Sequence, residues 1–160
     1  MKKVIKFALT LLIICLVNVV TFSLNVDENA VDILGNNKLI IVKGNLNNKN
    51  VYFLLDTGSG LTILNSKNSK RYNFSLSSST IYSIVGFNGK KGNISRVNRA
   101  NLEIGQLKII GDIYSTDINH IVSNVKLSTG FYIVGIIGAD IMYEYDFMID
   151  YKNKKVFFAR

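Results

Sequence analysis

The chain has 160 residues, 48% of them hydrophobic, with nine Phe, eight Tyr and no Trp, which is enough for one compact domain and too little for two. The formal net charge is +8, but the Lys and Arg residues are scattered and form no stripe interleaved with aromatics, so nucleic acid is excluded as a partner. Cys15 is the single cysteine and His120 the single histidine, which removes the usual zinc sites, disulfides and thiol chemistry, and no metal or cofactor is expected.

Residues 1–24 read as an export segment. Lys2, Lys3 and Lys6 precede an apolar run from Phe7 to Phe22, broken only by Thr10, Asn18 and Thr21. That is the pattern of a signal peptide or a signal anchor, with the lysines kept inside and the rest sent across the membrane. Cleavage and retention are both open, so the expected location is the cell envelope, tethered, or the secreted fraction. Residues 25–37 read as a polar linker and 38–160 as the folded domain.

The domain shows short strands separated by turn signals. "KLIIVKGNLNNKNVYFLLD" reads as a strand, a turn at Gly44-Asn45 and a second strand that delivers Asp56; "LTIL" is a third. Residues 65–79 read as a Ser- and Asn-rich loop with room for one helical turn. Asn88-Gly89 marks a hairpin in "IYSIVGFNGKKGNISRV", and Gly105 another in "ANLEIGQLKII". A polar loop over 116–130, with His120 in it, leads into the strand "FYIVGII". "ADIMYEY" holds a short helix, Asp140 is expected to cap it, and the chain ends as a hairpin that turns near Lys152-Asn153 with Asp150 at its start. Strands at about ten-residue spacing imply an all-β fold, a small closed β-barrel with one short helix, after the N-terminal hydrophobic segment.

One carboxylate stands apart. Asp56 follows Val51 to Leu55 and precedes Leu61, Ile63 and Leu64, so it is set between apolar flanks where an unpaired charge is costly. Gly58 permits a tight turn and a close approach, and Thr57 and Ser59 place hydroxyls on either side of the carboxylate. A turn aspartate bonding its own backbone is the plain alternative. Acid–base hydrolysis needs two groups in opposite protonation states, and no second Asp-Thr-Gly occurs in the chain.

"LLDTGSG", a glycine-containing hairpin and then "GIIGAD", in that order, resemble the retropepsin-like aspartic proteases of the bacterial and cellular type. The resemblance implies that Asp56 is catalytic, that Thr57, Gly58 and Ser59 support its loop, and that Gly86, Phe87, Asn88 and Gly89 form the flap tip. It makes Ile136, Ile137 and Gly138 the second family motif. Asp56 would pair with Asp56 of a second copy, share one proton with it, and activate water against a peptide bond in a polypeptide substrate. Leu55, Val85 and Ile136 would then flank the scissile bond, and a Ser59 hydroxyl would donate to the dyad. Gly60 and Ala139 replace the charged residues that tie the viral dimers, so contact between copies is expected to rest on apolar strands, including "KKVFFAR". The alternative is a catalytically silent, membrane-tethered peptide-binding module of the same fold.

Overall fold

A computed structural model describes residues 29–35, 38–85 and 91–159. The expected export segment at 1–24 and the expected flap tip at Gly86, Phe87, Asn88 and Gly89 lie outside them. Among the described residues no helix is long and apolar enough to cross a membrane.

Strands β2 (Ile40–Leu46) and β3 (Lys49–Leu55) form an antiparallel hairpin in unbroken register, from Ile40 opposite Leu55 to Leu46 opposite Lys49. The turn is not at Gly44-Asn45, as the glycine suggested, but at Asn47-Asn48, whose φ angles are 49° and 63°. Two consecutive positive φ values suit the twist of a two-residue hairpin, and asparagine tolerates them. Gly44 is needed inside β2 for another reason: a Cβ there would sit 2.5 Å from the Glu103 carbonyl oxygen and 2.9 Å from the Phe53 ring.

The remaining strands complete two sheets. β4 (Ile63–Asn65), β5 (Ser75–Val85), β6 (Lys91–Asn98), β7 (Leu102–Ile104), β8 (Leu107–Ile109), β9 (Tyr114–Thr116) and β10 (Ile133–Ile137) join the hairpin. The nine-stranded sheet runs β5-β6-β9-β4-β10-β3-β2-β7-β8 and curls into a half-barrel. β10 lies between β3, to which it is parallel, and β4, to which it is antiparallel. The second sheet is β1-β12-β11, built from Ala30–Asp32, Lys155–Phe157 and Met148–Asp150. Residues 30–32, in the stretch expected as linker, are thus a strand of the domain.

Alternation along the central strands sends side chains to two apolar clusters. Val51, Phe53, Leu55, Leu64, Val134 and Ile137 face the larger one, closed by Val156, Phe158, Ile141 and Met142. Leu54, Ile41, Ile63, Ile133 and Ile136 face the other. A strand buried on both faces reads as a continuous apolar run, which is why β10 shows no polar alternation. Each fully buried Ile, Leu or Phe contributes about 1.5–3 kcal/mol.

The second cluster has a roof that the sequence reading took for a loop. Residues Asn119–Thr129 form α2, an eleven-residue helix that buries Val122 and Val125 beside Ile118. Asp117 Oδ1 accepts the Asn119 N–H at 3.0 Å at its start, and Gly130 ends it at φ 81°. His120 is an exposed residue of its first turn. The stretch 65–79 is also more ordered than a loop: a 3-10 turn (Ser66–Asn68), the single-turn helix α1 (Ser69–Tyr72) and, from Ser75, strand β5. The short helix α3 (Ala139–Glu144) stands where it was expected.

Candidate active site

Asp56 leaves the end of β3 half-buried, and its N–H donates to the Ile137 carbonyl at the end of β10 at 3.1 Å. The Ser59 N–H returns to the Asp56 carbonyl at 3.0 Å and closes the turn. Asp56 Oδ1 accepts the Gly58 N–H at 2.9 Å, so the bond expected of a plain turn aspartate is present. Oδ2 takes no bond from a described residue.

Gly138 makes the site possible by close approach. A Cβ there would lie 2.5 Å from the Leu61 carbonyl carbon and oxygen and 2.8 Å from the Ser59 oxygen. At this crossing the Ala139 N–H donates to the Ser59 carbonyl at 2.7 Å, and the Gly138 N–H donates to Thr62 Oγ1 at 3.0 Å.

Thr62, fully buried, is the functional-site residue that sequence reasoning missed. Its hydroxyl donates to Asp140 Oδ1 at 2.7 Å and its N–H to Asp140 Oδ2 at 2.8 Å. Asp140 also accepts the Ile141 N–H at 2.8 Å, but the N-cap position of α3 is Gly138. The aspartate expected to cap the short helix is therefore mainly a clamp across 78 residues of sequence, binding the Asp56 loop to the end of β10.

The other expected residues fall as follows. Thr57 is exposed at the mouth of the loop, and Gly60 has open space around its Cβ position. Ser59 does not aim at Asp56: its hydroxyl donates to the Leu61 carbonyl at 2.7 Å, which commits its only proton. Ile137 and Ile136 are both buried, Ile136 in the cluster beneath α2 and away from the cleft at Asp56, whereas Leu55, though packed in the larger core, lines that cleft. Strands β5 and β6 close on the pair Val85 and Lys91, and the expected flap tip lies between them, outside the described residues.

A cleft of about 270 Å³ opens at Asp56 and Thr57, with Leu39 and Leu54 on one side and Ile149 and Tyr151 on the other. A roomier hollow of about 470 Å³ lies between β1, β2 and β7, lined by Lys43 and Glu103 and edged by the Asp32–Lys155 ion pair. It contains no part of the Asp56 loop, so the smaller cleft is the one with chemistry to offer.

A strand-borne Asp-Thr-Gly loop crossed by an apolar-apolar-Gly strand end, on a curled half-barrel, defines an aspartic protease of the retropepsin-like type. The family model for aspartyl proteases matches residues 42–141. The chain belongs to that family. Among solved structures it is similar to a retropepsin-like aspartic protease from Rickettsia conorii, with 17% identity, a TM-score of 0.51, and 81% of this chain and 89% of that chain covered. The retroviral protease-like domain of Ddi1 from Leishmania major is 17% identical at TM-score 0.49, covering 76% of this chain and 94% of its own. The EIAV protease in complex with an inhibitor is 18% identical at TM-score 0.47, with 66% and 86% covered. No curated protein matches the sequence.

Proposed function

We propose that this protein is an aspartic endopeptidase whose active site is assembled from two copies, each supplying Asp56. The observation that carries this reading is the half-built site: one carboxylate whose second oxygen takes no bond from a described residue, at the mouth of a cleft, on a loop anchored by three backbone–backbone bonds and a buried clamp. A second Asp56 brought within hydrogen-bond distance would share a single proton, because two like charges that close do not both ionise. One carboxylate then takes the proton of an attacking water while the other protonates the leaving nitrogen. In this reading exposed Thr57 supports the second copy's loop, and the expected flap at Gly86 to Gly89 closes over an extended polypeptide paired as an added strand. The basic start and the apolar run Phe7 to Phe22 support export across a membrane, with the domain tethered at the cell envelope or released.

The test is cleavage of a diverse peptide pool by the full chain in detergent micelles, beside Asp56→Asn. Cleavage by the parent and none by the variant is expected. Binding of extended peptides with no cleavage by either would replace the enzyme with a silent peptide-binding module.

A further inference from the structure

Basic residues that are scattered along the sequence gather in space at one end of the domain. Lys49 follows the Asn47-Asn48 turn, Lys70 and Arg71 lie on α1, and Arg99 lies between β6 and β7; all four are exposed. Asn47 ties these three segments together. Its side-chain amide reaches the carbonyls of Tyr72 at 2.8 Å, Asn73 at 3.1 Å and Arg99 at 3.0 Å, and its Oδ1 accepts the Asn101 N–H at 2.8 Å. The Lys49 ammonium and the Arg71 guanidinium both lie over the Tyr72 ring, 5.9 and 5.5 Å from its centre. Residues 46–50, 66–75 and 96–102 contain no Asp or Glu. Asp112 and Asp117, which reach these segments from outside, are paired with Arg96 and Lys67. No ion pair with a described residue neutralises the other four.

This basic pole lies far from the catalytic loop. β3 carries the chain from Lys49 to Leu55, the residue before Asp56, and its seven residues span about 20 Å. The pole is also the end at which the chain enters the domain. The Leu34 N–H donates to the Ile41 carbonyl at 2.8 Å, and Ala30 shares the larger hollow with Asn45 and Asn50. β1 therefore starts beside the hairpin turn and runs toward the Asp56 end. Its neighbour Asn29 comes seven residues after Phe22, the end of the apolar run, which is at most about 25 Å of extended chain.

We propose that the basic pole rests on an anionic phospholipid bilayer and stands the domain with its cleft pointing away from the membrane. This rests on the tethered form of the export reading above and is independent of the two-copy reading. A short tether that joins the domain at its basic end keeps that end at high effective concentration beside the lipid headgroups. The exposed amides of Asn48, Asn50 and Asn73 add N–H donors suited to phosphate oxygens. Single-stranded nucleic acid would need exposed rings to stack on, whereas Tyr72 is 6% exposed beneath its two cations. A cleft held about 20 Å from the pole meets extended polypeptide in the aqueous layer, not a bond sunk in lipid.

The test places the full chain in vesicles of phosphatidylcholine, with or without phosphatidylglycerol, and follows acetylation of each lysine by mass spectrometry. Lys49 and Lys70 report the pole. Lys38, which lines the cleft, and Lys152, which follows Tyr151 on its wall, report the opposite end. Phosphatidylglycerol is expected to slow acetylation of Lys49 and Lys70 at least about fivefold and to leave Lys38 and Lys152 unchanged. Molar salt should remove the protection. So should the double variant Arg71→Gln, Arg99→Asn, which keeps both reporters and places an asparagine at φ 60°. Equal acetylation in the two lipids, or protection of Lys38 and Lys152 instead, overturns the proposal. Protection that inorganic polyphosphate or a DNA duplex reproduces in phosphatidylcholine makes a soluble polyanion the occupant and overturns the bilayer. Protein that does not float with phosphatidylcholine vesicles removes the tether reading. Flotation with anionic vesicles alone, lost in the double variant, then still supports the pole, and flotation with neither overturns it.

Discussion

Asp56 and Asp150 make a natural pair for comparison. Each ends a strand, and each accepts an N–H from its own turn at 2.9 Å, from Gly58 and from Asn153. Beyond that they part. The second oxygen of Asp150 takes the Asn153 side-chain amide at 2.7 Å, and the two bonds from Asn153 hold its carboxyl below the ordinary carboxylate range. The second oxygen of Asp56, at a cleft, takes no bond from a described residue, and its backbone is tied to a strand end that arrives 81 residues later in the chain, at Ile137. A local turn bond is common to the two aspartates. The crossing of a distant strand belongs to Asp56 alone of the pair.

The comparison breaks first on substitution of the two carboxylates themselves. Asp56→Asn is expected to lower kcat/KM for peptide cleavage by at least about a thousandfold with the fold kept, by circular dichroism. Asp150→Asn is expected to move the urea denaturation midpoint only slightly. The crossing comes next: Gly138→Ala forces a Cβ against the Leu61 backbone, and a loss of about 3 kcal/mol in denaturation is expected. A near-neutral result would show that the two loops separate easily. The clamp is gentler. Asp140→Ala leaves the buried Thr62 hydroxyl and N–H without their acceptor and is expected to cost about 2–3 kcal/mol. Thr62→Ser, which keeps both donors, should lose well under half of that. The smallest effect belongs to Ser59→Ala, about 1 kcal/mol. Because its hydroxyl donates to the Leu61 carbonyl, the acid limb of the activity profile should stay in place. A shift of that limb to higher pH would mean that the hydroxyl turns to the dyad when two copies meet.

Much of this was legible in the order of residues. Period-two alternation and turn residues marked the β2–β3, β7–β8 and β11–β12 hairpins, and the apolar run from Ile133 to Ile137 marked the strand that crosses the Asp56 loop. The hairpin turn was misplaced because a glycine signals both φ freedom and close approach, and Gly44 serves the second while Asn47-Asn48 takes the first. Helix α2 was hidden by its composition: Asn, His, Ser, Lys and Thr occupy its outer face and outweigh Ile118, Val122 and Val125. Asp117 at its start and Gly130 at its end were the signals available. In the site, Asp56 announced itself, but the partnership of Thr62 with Asp140 spans 78 residues and leaves no local trace. Thr62 read simply as part of a strand.

The placement of β10 between β3 and β4 fixes an order of assembly. β3 and β4 follow each other in the chain yet do not pair, because a strand from the last third must enter between them. Until residues 133–140 arrive, the Asp56 loop has neither the Ile137 carbonyl nor Asp140 to hold it, and the entropy of closing so long a loop falls on the late steps of folding. A chain emerging from the ribosome, or one clipped before Ile133, therefore carries the Asp-Thr-Gly letters without the active-site loop. The timing of synthesis withholds the formed loop until nearly the whole domain exists.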